Sequence, residues 1–151
     1  MKPFPWKCGS CLERALVPAV IDYQAEVGHD GWTYQITIPA LHVFRCDRCG
    51  SIVLDDEANK KVSEALRQAA GLLSPEQVRR GREKLGLTQK QLAQVLQVHE
   101  ATLSRWETGG QLQQRSMDRL MRLYFQVPEA RRFLEETAAV PADLNPPTPS
   151  V

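Results

Sequence analysis

The chain has 151 residues, 42% of them hydrophobic and 25% charged, with a formal net charge of +1. That length leaves room for one domain of ordinary size or two small ones, and the composition is that of a small soluble protein. No apolar run approaches the ~20 residues of a membrane span, and the opening MKPFPWKCGS lacks a signal peptide's hydrophobic core, so the expected location is cytoplasmic, with no membrane contact.

In chain order, the first signal is the cysteines. All four fall in two pairs, Cys8-x-x-Cys11 and Cys46-x-x-Cys49, with 34 residues between the pairs. Two residues between thiolates let one tight turn aim both sulfurs at a single ion, and two such knuckles complete a closed tetrahedral site. A closed site has no open position for water, so the metal is expected to be structural, one Zn²⁺ per chain. A disulfide framework is disfavoured without a secretory signal. A redox pair would normally occur once, near a βαβ pattern that is absent here. Iron in the same four-sulfur site stays chemically open. His29, His42 and His99 are not at ligand spacing.

Between the knuckles, Val20 to Val27 alternates loosely and Gly28-His29-Asp30-Gly31 supplies a turn. Trp32 to Ile38 then alternates with strong β residues, and Pro39 is expected to end that strand or place it at an edge. Residues 1–57 therefore read as a small β-rich, zinc-ribbon-like module. They carry five Lys/Arg against eight Asp/Glu, a balance of −3. A helix from Ala58 to Gly71, with Val62, Ala65, Leu66 and Ala69 on one face, reads as the connector. Residues 58–73 are thus assigned to a connecting helix and linker, and Ser74-Pro75 marks the next boundary as cap and first helical residue.

Residues 74–139 read as an all-α domain of five helices. Its centre is LTQKQLAQVLQVHEATLSRWETG, Leu87 to Gly109. Thr88 with Gln91 fits a capping box, and Leu92, Ala93, Val95 and Leu96 give the following helix an apolar face. A turn falls near Gln97 and Val98. In the next helix Leu103 and Trp106 face inward, Thr102, Ser104 and Arg105 lie outward or flanking, and Gly109-Gly110 ends it. Two short amphipathic helices joined by such a turn are the pattern of a DNA-reading helix-turn-helix. Residues 74–127 carry nine Lys/Arg against five Asp/Glu, a balance of +4 that suits phosphate contact. Beyond it, Met117, Leu120, Met121 and Tyr124 share a face, as do Ala130, Phe133, Leu134 and Thr137. The last helix either caps the core or adds a dimer contact. Residues 140–151, rich in proline, are expected to form a disordered tail. No Ser/His/Asp, paired-carboxylate or phosphate-loop constellation is visible, so an enzyme is not expected.

Across Ser74 to about Gln126 the chain resembles the Cro/repressor-like (XRE) family, with Arg82-Glu83-Lys84-Leu85-Gly86-Leu87-Thr88-Gln89 matching that family's opening segment. The resemblance implies that Gln89 contacts a phosphate, that Glu100, Ala101, Thr102 and Arg105 occupy base-reading positions, and that Arg82 and Glu107 form an internal salt bridge. Arg105 suits a bidentate guanine contact, and Thr102 a thymine methyl or a phosphate. Two positions depart from the family: Gln97 stands where the turn usually has glycine, and Ala101 replaces a polar reader.

The order of the modules narrows this further. A CxxC pair, strands that include Tyr34-Gln35-Ile36-Thr37-Ile38, Arg45-Cys46-Asp47-Arg48-Cys49-Gly50, a helix and then a Cro-like domain resemble the MqsA/YgiT-type antitoxins over about residues 1–138. That resemblance implies zinc on Cys8, Cys11, Cys46 and Cys49, a ribonuclease toxin as partner, and a homodimer repressing its own operon at a palindromic operator. The family's toxin-contact surface has no short motif to carry over. The alternative is a toxin-neutralising or other protein-binding adaptor in which the zinc module carries the main function.

Overall fold

In the computed structural model the described residues are 2–138. The proline-rich segment expected as a tail lies outside them. Four strands come first: β1 (Trp6–Lys7), β2 (Arg14–His29), β3 (Trp32–Cys46) and β4 (Ile52–Val53). They pair antiparallel in the order β1-β2-β3-β4. Six helices follow among the described residues: α1 (Asp56–Ala70), α2 (Pro75–Lys84), α3 (Gln89–Leu96), α4 (Glu100–Thr108), α5 (Arg115–Gln126) and α6 (Pro128–Ala138). A β-rich N-terminal module thus precedes a helical C-terminal part. The chain divides into two compact units, one ending at Gly71 and the other beginning at Leu72.

The first unit is built on the long β2–β3 hairpin. Gly28 and His29, expected in the turn, pair with Thr33 and Trp32. Only Asp30 and Gly31 turn, both at positive φ, as a two-residue hairpin loop requires. Pro39 does not end β3. The ladder runs Ile21↔Leu41 and then Tyr23↔Ile38, so Pro39 and Ala40 together oppose Asp22. This is a β-bulge: one extra residue on one strand, here where proline has no N–H to give the ladder. Ala40 sits at φ 50°, and its N–H donates to the Asp22 carboxylate at 3.0 Å.

The bulge decides which residues reach the core. Before it, the even-numbered Ile36 and Ile38 point inward; after it, the odd-numbered Leu41 and Val43 do. Strand side chains alternate with period two, so only an inserted residue can bring both sets to one face. α1 packs along β3, placing Ala58 and Val62 in a cluster with Leu41, Val43, Ala19, Ile21, Tyr23 and Ile38. The helix expected to connect the modules therefore covers the sheet of the first unit. Asp55 caps its N-terminus, accepting from the Ala58 N–H at 2.8 Å, and Gly71 ends it in the left-handed region.

In the second unit, Val78 of α2, Leu92, Ala93 and Leu96 of α3, Leu103 and Trp106 of α4, and Met121 and Tyr124 of α5 form one buried cluster. Ser74 caps α2 in a full capping box with Gln77, and Pro75 takes the first helical position. Buried Asp118 accepts from the Leu73 N–H at 2.7 Å and from Arg122 Nε at 2.8 Å, tying the unit's start to α5. α6 is rotated from the face expected of it. Leu134 packs on the core, but Phe133 is 63% exposed. Polar anchors set that rotation: Arg131 donates to the Tyr124 and Phe125 carbonyls, and the Tyr124 hydroxyl donates to Glu135. Apolar periodicity alone does not register such anchors.

Candidate metal centre and helix-pair surface

The two CxxC turns fold alike because each repeats one hydrogen-bond pattern. The Cys8 N–H donates to Glu13 O at 2.8 Å, and the Leu12 N–H to Cys8 O at 3.0 Å. In the second turn the Cys46 N–H donates to Ser51 O at 2.8 Å, and the Gly50 N–H to Cys46 O at 2.9 Å. The residue four places after each first cysteine is left-handed in both: Leu12 at φ 65° and Gly50 at φ 74°. Glycine adopts that conformation freely, while leucine there carries strain. β2 and β3 bring the turns together, with Leu16 paired to Cys46 and the Asp47 N–H donating to Ala15 O.

All four Sγ atoms lie within 4.8 Å of one another. Cys8 and Cys49 sulfurs are 3.7 Å apart, and those of Cys11 and Cys46 are 3.6 Å apart. A tetrahedral ion with metal–sulfur bonds of about 2.3 Å sets its sulfurs about 3.8 Å apart, so the cluster has the size of a four-thiolate metal site. None of the four is in a disulfide. Cys8 and Cys46 are buried against Leu16, with Trp6, Ala15 and Phe44 around them.

The sulfurs differ in acidity. Hydrogen bonds from Ser51 bring the Cys49 thiol down to about 6. Backbone hydrogen bonds from Cys11 and Ser10 lower Cys8. At Cys11 the Glu13 backbone also pulls downward, but burial and the three neighbouring sulfurs outweigh it and push the thiol up to about 12. Crowded thiols resist ionising together, whereas a dication favours all four thiolates. The residues present fit a bound metal ion. Sequence reasoning named the four ligands but not Ser51, whose place directly after Cys49-Gly50 was the available signal.

In the second unit, Thr88 caps α3: its hydroxyl accepts from the Gln91 N–H at 3.1 Å, and the Gln91 amide oxygen accepts from the Thr88 N–H at 2.9 Å. Gln97 takes the left-handed conformation at φ 58° and ψ 42°, and its side-chain amide donates to Gln94 O at 2.6 Å. The chain then enters α4 through Val98 and His99. On α4, Leu103 and Trp106 are buried, Glu100, Ala101 and Arg105 are exposed, and Thr102 is half-buried.

Arg82 meets Glu107 in a two-pronged ion pair, Nε–Oε1 at 2.6 Å and Nη2–Oε2 at 3.0 Å, and its third donor reaches Leu87 O at 2.8 Å. The hydrogen bonds to Glu107 hold the guanidinium's pKa above its ordinary value. Gln89 belongs to the same network, its amide donating to Glu107 Oε2 at 2.8 Å. The network locks the start of α3 to α2 and α4, with Gln89 turned toward Glu107.

Comparison with protein families matches residues 6–137 to MqsA, the antitoxin component of a bacterial toxin–antitoxin system. The chain belongs to the MqsA antitoxin family. Comparison with curated proteins gives no match. The MqsA match spans both the four-cysteine cluster and the helices around α3 and α4, so the metal-binding arrangement and the helical part lie within one antitoxin chain. Membership in an antitoxin family implies a toxin partner. Among the described residues, no helix is long and apolar enough to cross a membrane.

Proposed function

We propose that this chain is a zinc-containing antitoxin of a type II system that binds its cognate ribonuclease toxin and represses its own operon as a DNA-binding homodimer. The ion on Cys8, Cys11, Cys46 and Cys49 is zinc in a structural role, stabilising a module with a small apolar core. The setting is the bacterial cytoplasm, where thiols stay reduced. α3 and α4 act as a Cro-like (XRE) helix-turn-helix, and the protein regulates rather than catalyses.

The observation carrying the DNA-binding reading is the division of α4. Leu103 and Trp106 anchor it in the core, while Glu100, Ala101 and Arg105 stand exposed on its other side and Thr102 lies between. A recognition helix in a major groove needs that division. Arg105 offers the bidentate donor, Thr102 a methyl and a hydroxyl, and Gln89 stands at the N-terminus of α3, where unpaired N–H groups attract a phosphate. The test uses a duplex from upstream of the chain's own gene. Arg105→Ala should weaken specific binding by about 1–3 kcal/mol at fixed salt. Unchanged affinity would remove Arg105 from the readout.

A further inference from the structure

The outer side of α4 sets one methyl group beside one guanidinium. At about 100° per residue, Ala101, Arg105 and Thr108 fall within about 60° of one another, opposite the buried Leu103 and Trp106. All three are exposed. Thr108, at the C-terminal end, is tied to its own helix, its hydroxyl donating to Ser104 O at 3.0 Å. Glu100 and Thr102 lie about a quarter turn to either side of Ala101, and Thr102 is half-buried. The outermost stripe in the first part of the helix is therefore the Ala101 methyl, at the second helical position, followed one turn later by Arg105. Leu103 and Trp106 being buried, Ala101 is the one exposed apolar side chain on α4.

We propose that Ala101 sets base specificity, its methyl packing on the 5-methyl group of a thymine that neighbours the guanine read by Arg105. The inference rests on the DNA-binding reading above. A recognition helix meets base edges through the N-terminal part of its outer side, and there Ala101 offers neither donor nor acceptor. Against a guanine, cytosine or adenine edge it would strip water from polar groups and leave them unpaired, which costs free energy. Thymine alone among the four bases presents a methyl group in the major groove. Two methyl groups gain by leaving water together. Spacing links this contact to the arginine. Residues four apart are separated by about 6 Å along a helix. Stacked base pairs are about 3.4 Å apart, so the two contacts fall at most about two base pairs from each other.

The test uses the full-length, metal-loaded chain and an unmethylated synthetic duplex from upstream of its own gene, in which thymine is the sole source of that methyl. Each thymine is replaced in turn by deoxyuridine, which removes the methyl and keeps the base pair. One position in each half-site should weaken wild-type binding about fourfold at fixed salt, as loss of one buried methyl contact does. The same replacement should change the affinity of Ala101→Gly by less than about twofold, because the variant has already lost that contact. Melting temperature checks that the variant folds. 7-Deazaguanine, which lacks the N7 acceptor, should weaken wild-type binding at a guanine within about two base pairs of that thymine, and Arg105→Ala should be indifferent to it. A sensitive guanine farther away would overturn the pairing of the two contacts. If no deoxyuridine weakens the wild type, or A101G is as sensitive as the wild type, Ala101 is no reader while DNA binding stands. If the wild type binds this duplex no better than an unrelated sequence, the DNA-binding reading falls, and this contact with it.

Discussion

Single residues in this chain hold positions that their types alone do not advertise. Gly81 lies inside α2, where glycine ordinarily costs up to about 1 kcal/mol against alanine. A Cβ there would stand 2.5–2.8 Å from three ring carbons of Phe125. Close approach of α5 therefore outweighs helix propensity. Gly81→Ala should lower the stability of the second unit by about 1–3 kcal/mol in urea titration, as overpacking does, and Phe125→Leu in that background should recover part of the loss. A stability gain from Gly81→Ala alone would show that Phe125 moves aside freely. Gln97 is the converse case. Glycine would suit its left-handed backbone, but the bond from its amide to Gln94 O gives the glutamine a local hold. Arg82 and Glu107 were legible only through family resemblance, because nothing in their spacing brings residues 25 apart together.

At the scale of elements, the β-bulge matters most. Alternation in Trp32–Ile38 and the apolar Leu41 and Val43 were both visible in the sequence, but they lie on opposite parities and read as two segments parted by a proline. The structure joins them into one strand by letting Pro39 and Ala40 share one partner. Deleting Ala40 removes the extra residue together with the parity change, so simple alternation should still set Ile36, Ile38, Leu41 and Val43 on the α1 face. The expected outcome is a first unit that still unfolds cooperatively, followed by Trp6 environment and amide exchange. Loss of cooperative unfolding in that variant would mean that the bulge itself, with its Ala40 N–H bond to Asp22, and not side-chain parity, holds the strand. α6 teaches a related lesson: Arg131 and Glu135 bond to α5 and set the helix rotation, leaving Phe133 in solvent.

At the scale of the molecule, two units draw on different sources of stability. The second has a continuous apolar core of nine buried residues. The first has two small buried clusters, one at Cys8, Leu16 and Cys46 and another at Leu41, Val43 and Ala58, so a metal ion held by the four sulfurs would carry much of its folding energy. Structural zinc is worth about 10–16 kcal/mol in small peptides near neutral pH. A strong chelator, or Cys46→Ser, should therefore strip amide protection from β1 to β4 while leaving α2 to α5 protected in hydrogen-exchange mass spectrometry. Metal uptake should release protons, since the Cys11 thiol in particular is neutral at pH 7 without the ion, and affinity should fall as pH is lowered. Equal loss of protection in both units would contradict separate cores.

By itself the sequence determined the features whose physics is local. Four cysteines at CxxC spacing, the Thr88–Gln91 and Ser74–Gln77 caps, and the inward period of Leu92, Leu96, Leu103 and Trp106 each need only a few neighbouring residues to be read. The tertiary structure decided what depends on residues meeting from afar. It put Ala40 against Asp22 so that β3 keeps one apolar face, laid α1 on that face, and turned Gln89 toward Glu107. It also left Val20, Phe44 and Phe4 together on an uncovered face. Spacing along the chain carries capping, turns and periodicity; register, helix rotation and the composition of a surface arise only when separate strands and helices are brought side by side.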